Sequence, residues 1–270
     1  MTDDAGPAAP PRARRPRTAP AVLDGWSVGP PDFIGVGVHK AGTTWWWALL
    51  VAHPQVDGVP RRKELHLLER MRGSGLTAEL LDEYYRAFPR APGHIAGEWT
   101  PRYQAMPAIP PIIAQVAPEA RLLTIVREPV ERYRSGLKQW RDENRRRSER
   151  RDERAGRREA LMRGFYGRQV QRLVDAVGQE RVLVLQYERC VRQPREELER
   201  TFRFLGLPPF EPDPALVTRR VNPTIGDKGS LSSDEEKRLL AEYEPEVRHL
   251  ARLVPDLDLA LWPRFAHLAS

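Results

Sequence analysis

The sequence predicts an α/β fold in which a central, mainly parallel sheet is flanked by helices. Three observations carry that prediction. Strongly apolar runs at 33–38, 121–126 and 181–187 have the length and composition of strands buried on both faces. Each run is followed by a segment with helical spacing or a helix-opening proline. The turns between strand and helix are short, and strands that alternate with helices in this way build a parallel sheet covered on both sides.

In chain order, residues 1–25 are a Pro-, Ala- and Arg-rich leader with too little apolar content to fold. Trp26 opens a single domain that runs to residue 270. Phe33, Ile34, Val36 and Val38, with Gly35 among them, read as the first buried strand. The turn Gly37-Val38-His39-Lys40-Ala41-Gly42 follows, then Thr43, Thr44 and an apolar helix over 45–51. Successive residues of a helix point about 100° apart. Trp45, Trp46 and Trp47 therefore cannot share one face, and at most two of them are expected in the core.

Pro54 closes that helix, and Arg61-Arg62-Lys63-Glu64-Leu65-His66 reads as a polar loop. Residues 76–90 place Leu80, Leu81, Tyr84, Tyr85 and Phe88 at helical spacing. Ile95-Ala96-Gly97-Glu98 is a short strand leading into Trp99-Thr100-Pro101-Arg102-Tyr103. A proline-opened helix covers 107–116, and the strand 121–126 ends at Arg127. Pro129 stands at the favoured first position of the next helix, which runs through Trp140. Residues 141–163 carry ten arginines and six acids and almost no apolar face, the pattern of a solvated helix or a mobile insertion. Residues 165–177 are amphipathic and stopped by Gly178, the third strand spans 181–187, and a helix over 194–205 is closed by Gly206. A proline-rich loop, 207–231, precedes Ser233-Asp234-Glu235-Glu236, read as the capping box of the last long helix. Pro245 is expected to break that helix in two.

The net charge of +7 is concentrated in the leader and in 141–163, which argues against a broad nucleic-acid-binding face. A single cysteine, Cys190, excludes an intramolecular disulfide and fits a reducing compartment. No apolar run reaches the ~18 residues of a membrane span. The N-terminus, with Asp3 and Asp4, lacks the apolar core of a secretory signal. A bacterial, cytoplasmic enzyme is the expectation, the bacterial source resting on the Arg/Ala/Pro-rich usage.

The chemistry centres on residues 33–50. A strand, a glycine turn and a helix start aim free backbone N–H groups and the positive end of the helix dipole at an anion. Lys40 adds a charge within the turn, and Thr43 and Thr44 add hydroxyls at the helix mouth. The lysine precedes Gly42 by two residues, whereas a Walker loop has it directly after the second glycine. Lys40-Ala41-Gly42-Thr43-Thr44 resembles the 5′-phosphosulfate loop of the PAPS-dependent sulfotransferases. A second element supports the resemblance. Arg127 ends a strand, where α/β sheets bind ligands, and its planar fork suits a phosphate. Arg127, Pro129, Arg132 and Ser135 are similar to the family's 3′-phosphate motif, Arg-x-Pro-x-x-Arg-x-x-Ser.

The resemblance covers about residues 30 to 265 and is closest to the branch holding heparan N- and 3-O-sulfotransferases. Tyr187-Glu188, Pro194 and Phe204-Leu205-Gly206 match it, with Cys190 in place of the usual leucine. Trp262 matches the family's terminal tryptophan. Lys228-Gly229 resembles the loop that closes over the 3′-phosphate, with Ser230 where arginine often stands. The resemblance implies a P-loop-like sulfotransferase fold, PAPS as sulfuryl donor, and no metal. It also implies cofactor contacts from Lys40, Ala41, Gly42, Thr43, Thr44, Trp45, Arg127, Ser135, Tyr166, Lys228 and Gly229. Tyr166 has core packing as an equal alternative. Trp45 is one of three tryptophans of which one flanks the adenine. His39 either touches the cofactor or packs outward.

Lys63-Glu64-Leu65-His66 resembles the branch's Glu-x-His element, in which the glutamate takes the acceptor's proton. Glu64 is thus the expected base, His66 the alternative, and an ordinary ion pair of Glu64 with Lys63 or Arg62 the competing account. Glu98-Trp99-Thr100-Pro101-Arg102-Tyr103 resembles Glu-Lys-[Ser/Thr]-Pro-x-Tyr, with Trp99 replacing the lysine that contacts a glycan carboxylate. The charged segment 141–163 is expected to form a lid near the acceptor opening. Two rival functions are a P-loop kinase of a small metabolite, which lacks its Walker lysine here, and a nucleic-acid-binding protein supported by charge alone. The expected partners are an acceptor that is a glycan, lipid or small molecule, and no nucleic acid.

Overall fold

The computed structural model describes residues 22–57, 63–147, 152–218 and 230–269. Its first half runs β1 (Ser27–Val28), β2 (Phe33–Gly37), α1 (Thr43–Leu50), β3 (Val56–Asp57), α2 (Leu67–Ser74), α3 (Ala78–Tyr85), β4 (Pro89–Arg90), β5 (Ile95–Trp99) and α4 (Ile109–Val116). There follow β6 (Arg121–Val126), α5 (Pro129–Arg147), α6 (Glu153–Met162), α7 (Tyr166–Val177), β7 (Val182–Gln186), α8 (Tyr187–Arg192), α9 (Pro194–Leu205), α10 (Pro214–Thr218) and α11 (Ser233–Leu253).

Five strands form a parallel sheet in the order β3-β5-β2-β6-β7, and β1 pairs antiparallel with β4 beside it. Strand β2 is the centre. From it the chain first builds β3 and β5 on one side, then crosses to β6 and β7 on the other. Neighbouring strands whose following connections leave in opposite directions open a crevice at their C-terminal ends, and here that pair is β2 and β6. Both are buried along almost their whole length, as their apolar runs require. No helix of the described residues is long and apolar enough to cross a membrane.

Several local expectations are corrected by packing. All three tryptophans of α1 are buried, because β2, α9 and α10 each cover part of this helix and leave only the Thr44/Ala48 face half-buried. Trp47 meets Phe33 of β2 at a ring-centroid distance of 6.1 Å. The Trp46 indole donates to Thr201 Oγ1 of α9 at 3.2 Å, and that of Trp45 to the Leu216 carbonyl of α10 at 3.2 Å. Pro245 does not divide the last helix. α11 continues through it for 21 residues, with Tyr243, Glu246, Val247 and Leu250 buried. Burial of that face along α7 offsets the one backbone bond that proline cannot donate. The cap of α11 is Ser232, whose hydroxyl accepts from the Glu235 amide, one residue ahead of the expected Ser233.

The arginine-rich segment is not one solvated run. Residues 141–147 extend α5, while α6 buries Gly156 and Ala160. Gly156 lies against the Trp140 ring, and Arg132 donates to the Ala160 carbonyl. The second half of the segment is therefore packed. The expected leader lies almost wholly outside the described residues, as do Arg61, Arg62, Lys228 and Gly229.

Candidate active site

The β2–α1 and β6–α5 turns lie side by side at the crevice. They are joined directly: the Val38 amide donates to the Ile125 carbonyl at 3.1 Å, and Arg127 Nη1 donates to the Lys40 carbonyl at 3.2 Å. Tyr187, the first residue after β7, is wedged between them. The Arg127 guanidinium sits 4.8 Å from its ring centroid. On the other side, Gly42 comes so close that a Cβ would lie 2.8 Å from the ring, and its φ of 78° is a left-handed conformation as well. Lys40, at φ 73°, takes the same region without glycine's freedom. Such a conformation costs roughly 1 kcal/mol or more and is held only where surrounding structure fixes it.

This geometry leaves anion-binding groups exposed to one space. Among the described residues, no backbone carbonyl accepts from the amides of Gly42, Thr43 or Thr44 at the start of α1. The Lys40 ammonium makes no hydrogen bond or ion pair among them either. Burial, and next the Arg127 charge, lower its pKa. A dianionic group would relieve both effects.

A second lysine stands opposite, and the sequence reading missed its role. Lys63 Nζ donates to Thr43 Oγ1 at 2.7 Å and reaches Thr44 Oγ1 at 3.5 Å. Burial lowers its pKa to about 8. Its place directly before Glu64 was the only signal in the sequence, and that position suggested an ion pair. In the structure that ion pair is present but long, Glu64 Oε1 lying 3.9 Å from Nζ, while the ammonium hydrogen-bonds the threonines.

Residues 63–66 form no regular element, and Glu64 and His66 meet there, with Glu64 Oε2 3.4 Å from His66 Nε2. His66 Nδ1 meets Glu69 at 2.9 Å, and Arg102 Nε lies 3.4 Å from the same carboxylate. His66 is the other described non-glycine residue with positive φ, at 59°. β5 holds this segment from below. The Trp99 amide donates to the Lys63 carbonyl at 3.1 Å, and the Leu65 amide donates to the Glu98 carboxylate. Glu98 is fully buried and also accepts from the Tyr84 hydroxyl at 2.9 Å and the Thr100 hydroxyl at 2.7 Å. Burial pushes its pKa up to about 7. Trp99 is fully buried too, its ring filling the space over Gly35 and its indole donating to the Gly37 carbonyl at 3.1 Å. No acceptor contact is available from that position.

The remaining predicted site residues lie deeper. Ser135 is buried on α5, two turns into the helix. Tyr166 is fully buried beside Trp262, with its hydroxyl next to the Arg127 backbone. Trp45 points its indole away to α10. Glu188 explains two features that sequence gave only by resemblance: it accepts from the Glu128 amide at 3.0 Å and from the Trp262 indole at 2.8 Å. It thereby fixes the turn that carries Arg127.

A family model described as a sulfotransferase domain matches residues 30–220. Over 120 residues the chain is 33% identical to mouse heparan sulfate glucosamine 3-O-sulfotransferase 3A1, and over 119 residues 34% identical to the human protein. Those matches span 44% and 43% of this chain but only 28% and 27% of the relatives' length. Among solved structures, a sulfotransferase from Alicyclobacillus acidocaldarius aligns over 87% of this chain and 100% of its own, with TM-score 0.66 and 26% identity. A mouse sulfotransferase solved in complex with PAP shares the fold, at TM-score 0.52 and 15% identity over 88% of this chain and 89% of its own.

Proposed function

The chain belongs to the sulfotransferase domain family, and from that premise we propose that it transfers a sulfuryl group from PAPS to an acceptor hydroxyl or amine by in-line displacement. One observation carries the assignment of the site: Lys40, Lys63 and Arg127 converge on the uncapped start of α1, in the crevice between β2 and β6. Their donor set suits a ligand with several negative charges divided between two ends. Lys40, Lys63 and the amides of 42–44 would hold the 5′ end, and Arg127 with Ser135 the 3′-phosphate. Bound PAPS supplies an activated sulfuryl group on a phosphate leaving group. Lys40 neutralises the charge that develops on the leaving oxygen. Glu64 takes the proton of the acceptor, and His66, fixed between Glu64 and Glu69, orients that carboxylate.

The mouse and human relatives are named for a glycan acceptor. For this chain we keep the class wider, a glycan, lipid or secondary metabolite, because buried Trp99 stands where the resemblance expects an acceptor-binding lysine. The nucleic-acid reading loses its support, since Arg141, Arg145, Arg157 and Arg163 each pair with an acid. We place the enzyme in a bacterial cytoplasm on its composition and its one cysteine. Titration calorimetry with PAP, ATP and a DNA oligonucleotide tests the assignment. PAP alone should bind with micromolar or better affinity; preferential binding of ATP or DNA would overturn it.

A further inference from the structure

His39 lies in the donor loop, directly before Lys40, and its ring nitrogens are not equivalent. Arg163, the residue that ends α6, places Nη1 2.9 Å from His39 Nδ1. A guanidinium carries only donors, so Nδ1 must accept. The ring is then neutral, and its one proton sits on Nε2. Arg163 is itself anchored, its Nη2 bonded to Glu159. The charged groups facing His39 are all cations: Lys40 in its own loop, Lys63 across the cleft, Arg132 on α5 and Arg163. With burial they hold the imidazole pKa down to about 2, so the ring stays neutral at any working pH. Among the described residues no group accepts from Nε2–H.

We propose that His39, locked by Arg163 as the neutral Nε2–H tautomer, donates a hydrogen bond to a sulfuryl oxygen of the bound donor. The inference rests on the sulfotransferase reading and assigns a contact that distinguishes PAPS from PAP, which lacks the sulfuryl group. The charge pattern gives it a physical purpose. During transfer, negative charge moves off the sulfuryl group and onto the leaving phosphate oxygen. Cations belong at the leaving oxygen, where Lys40 and Lys63 are poised. A cation on the sulfuryl oxygens would favour the ground state, whereas a neutral donor orients them with less of that penalty.

Two measurements test this. Nitrogen-15 NMR of the histidine rings in the ligand-free protein should show Nδ1 bare and Nε2 protonated at His39, unchanged from about pH 5 to pH 9. Arg163→Met should return the ring to a mixture of tautomers. Calorimetry without acceptor should then show that His39→Ala keeps PAP affinity within about twofold while weakening PAPS about five- to tenfold, the size of one neutral hydrogen bond. His39→Gln, whose amide N–H₂ reaches a similar point, should recover most of the PAPS affinity. Equal losses for PAP and PAPS, no loss for either, or a protonated Nδ1 in the NMR spectrum would each overturn the proposal. The NMR measurement needs no variant, so a misfolded His39→Ala protein does not block the test. Wild-type chain that binds neither nucleotide would instead sink the sulfotransferase reading, and this inference with it.

Discussion

Replacing Glu98 by glutamine should flatten the dependence of stability on pH. The Glu98 carboxyl is fully buried, and burial raises its pKa from 4.5 to about 7. Between those two values the folded protein holds a proton that the unfolded chain has released. Stability therefore falls as pH rises through this window, and the loss is complete above the folded-state pKa. Each pH unit is worth about 1.4 kcal/mol, so a displacement of about 2.5 units amounts to roughly 3 kcal/mol, of which about 2.5 kcal/mol should appear between pH 5 and pH 8. Glutamine never ionises. Its carbonyl oxygen can still accept from Tyr84, and the Thr100 hydroxyl can rotate to accept from the new amide. Urea unfolding of both proteins at a series of pH values is the assay, because groups common to both cancel in the difference. Wild type minus variant should fall by about 2.5 kcal/mol from roughly pH 5 to pH 8. A difference that does not change with pH would refute the argument that this buried carboxyl is neutral in acid and costly when charged.

Four other outcomes are expected. Arg127→Ala should weaken PAP binding by about 1.5–3 kcal/mol, the value of a charged hydrogen bond, whereas Lys40→Ala should depress turnover far more than PAP affinity; unchanged PAP binding in the Arg127 variant rejects the 3′-phosphate assignment. Lys63, with its pKa lowered to about 8, should take up a proton when PAP binds near that pH, measured as a buffer-dependent heat in calorimetry and abolished in Lys63→Met; equal proton uptake by the variant removes Lys63 from the site. Glu64→Gln should lower turnover by roughly 10²–10⁴ with PAP binding intact, and His66→Ala should cost less; an active Glu64 variant beside a dead His66 variant makes the histidine the base. Gly156→Val should push against the Trp140 ring and cost about 1–3 kcal/mol in a thermal or urea melt; an unaltered melt means that α6 does not rest on α5.

The sequence by itself marked the long strands and helices and the order in which chemistry is strung along them, but not the short helices α2, α8 and α10, nor the end of the 76–90 helix at Tyr85. Apolar runs of strand length marked β2, β6 and β7, and Pro194 with Gly206 bounded α9 as observed, because period and terminal residues are local properties of the chain. The glycine turn with Lys40 and the strand-end Arg127 were legible for the same reason. What only the tertiary structure decided are the meetings between distant segments. Lys63 reaches Thr43 across 20 residues of sequence, Arg163 reaches His39 across 124, and Tyr187 wedges between the loops of Gly42 and Arg127. The same holds for α1, whose third tryptophan is buried only because α9 and α10 close over it, and for Pro245, tolerated because α7 covers its helix. Local patterning states which face of an element is apolar. Which partner covers that face, and which polar groups are thereby trapped together, depends on how the sheet orders its strands, and no short stretch of sequence carries that information.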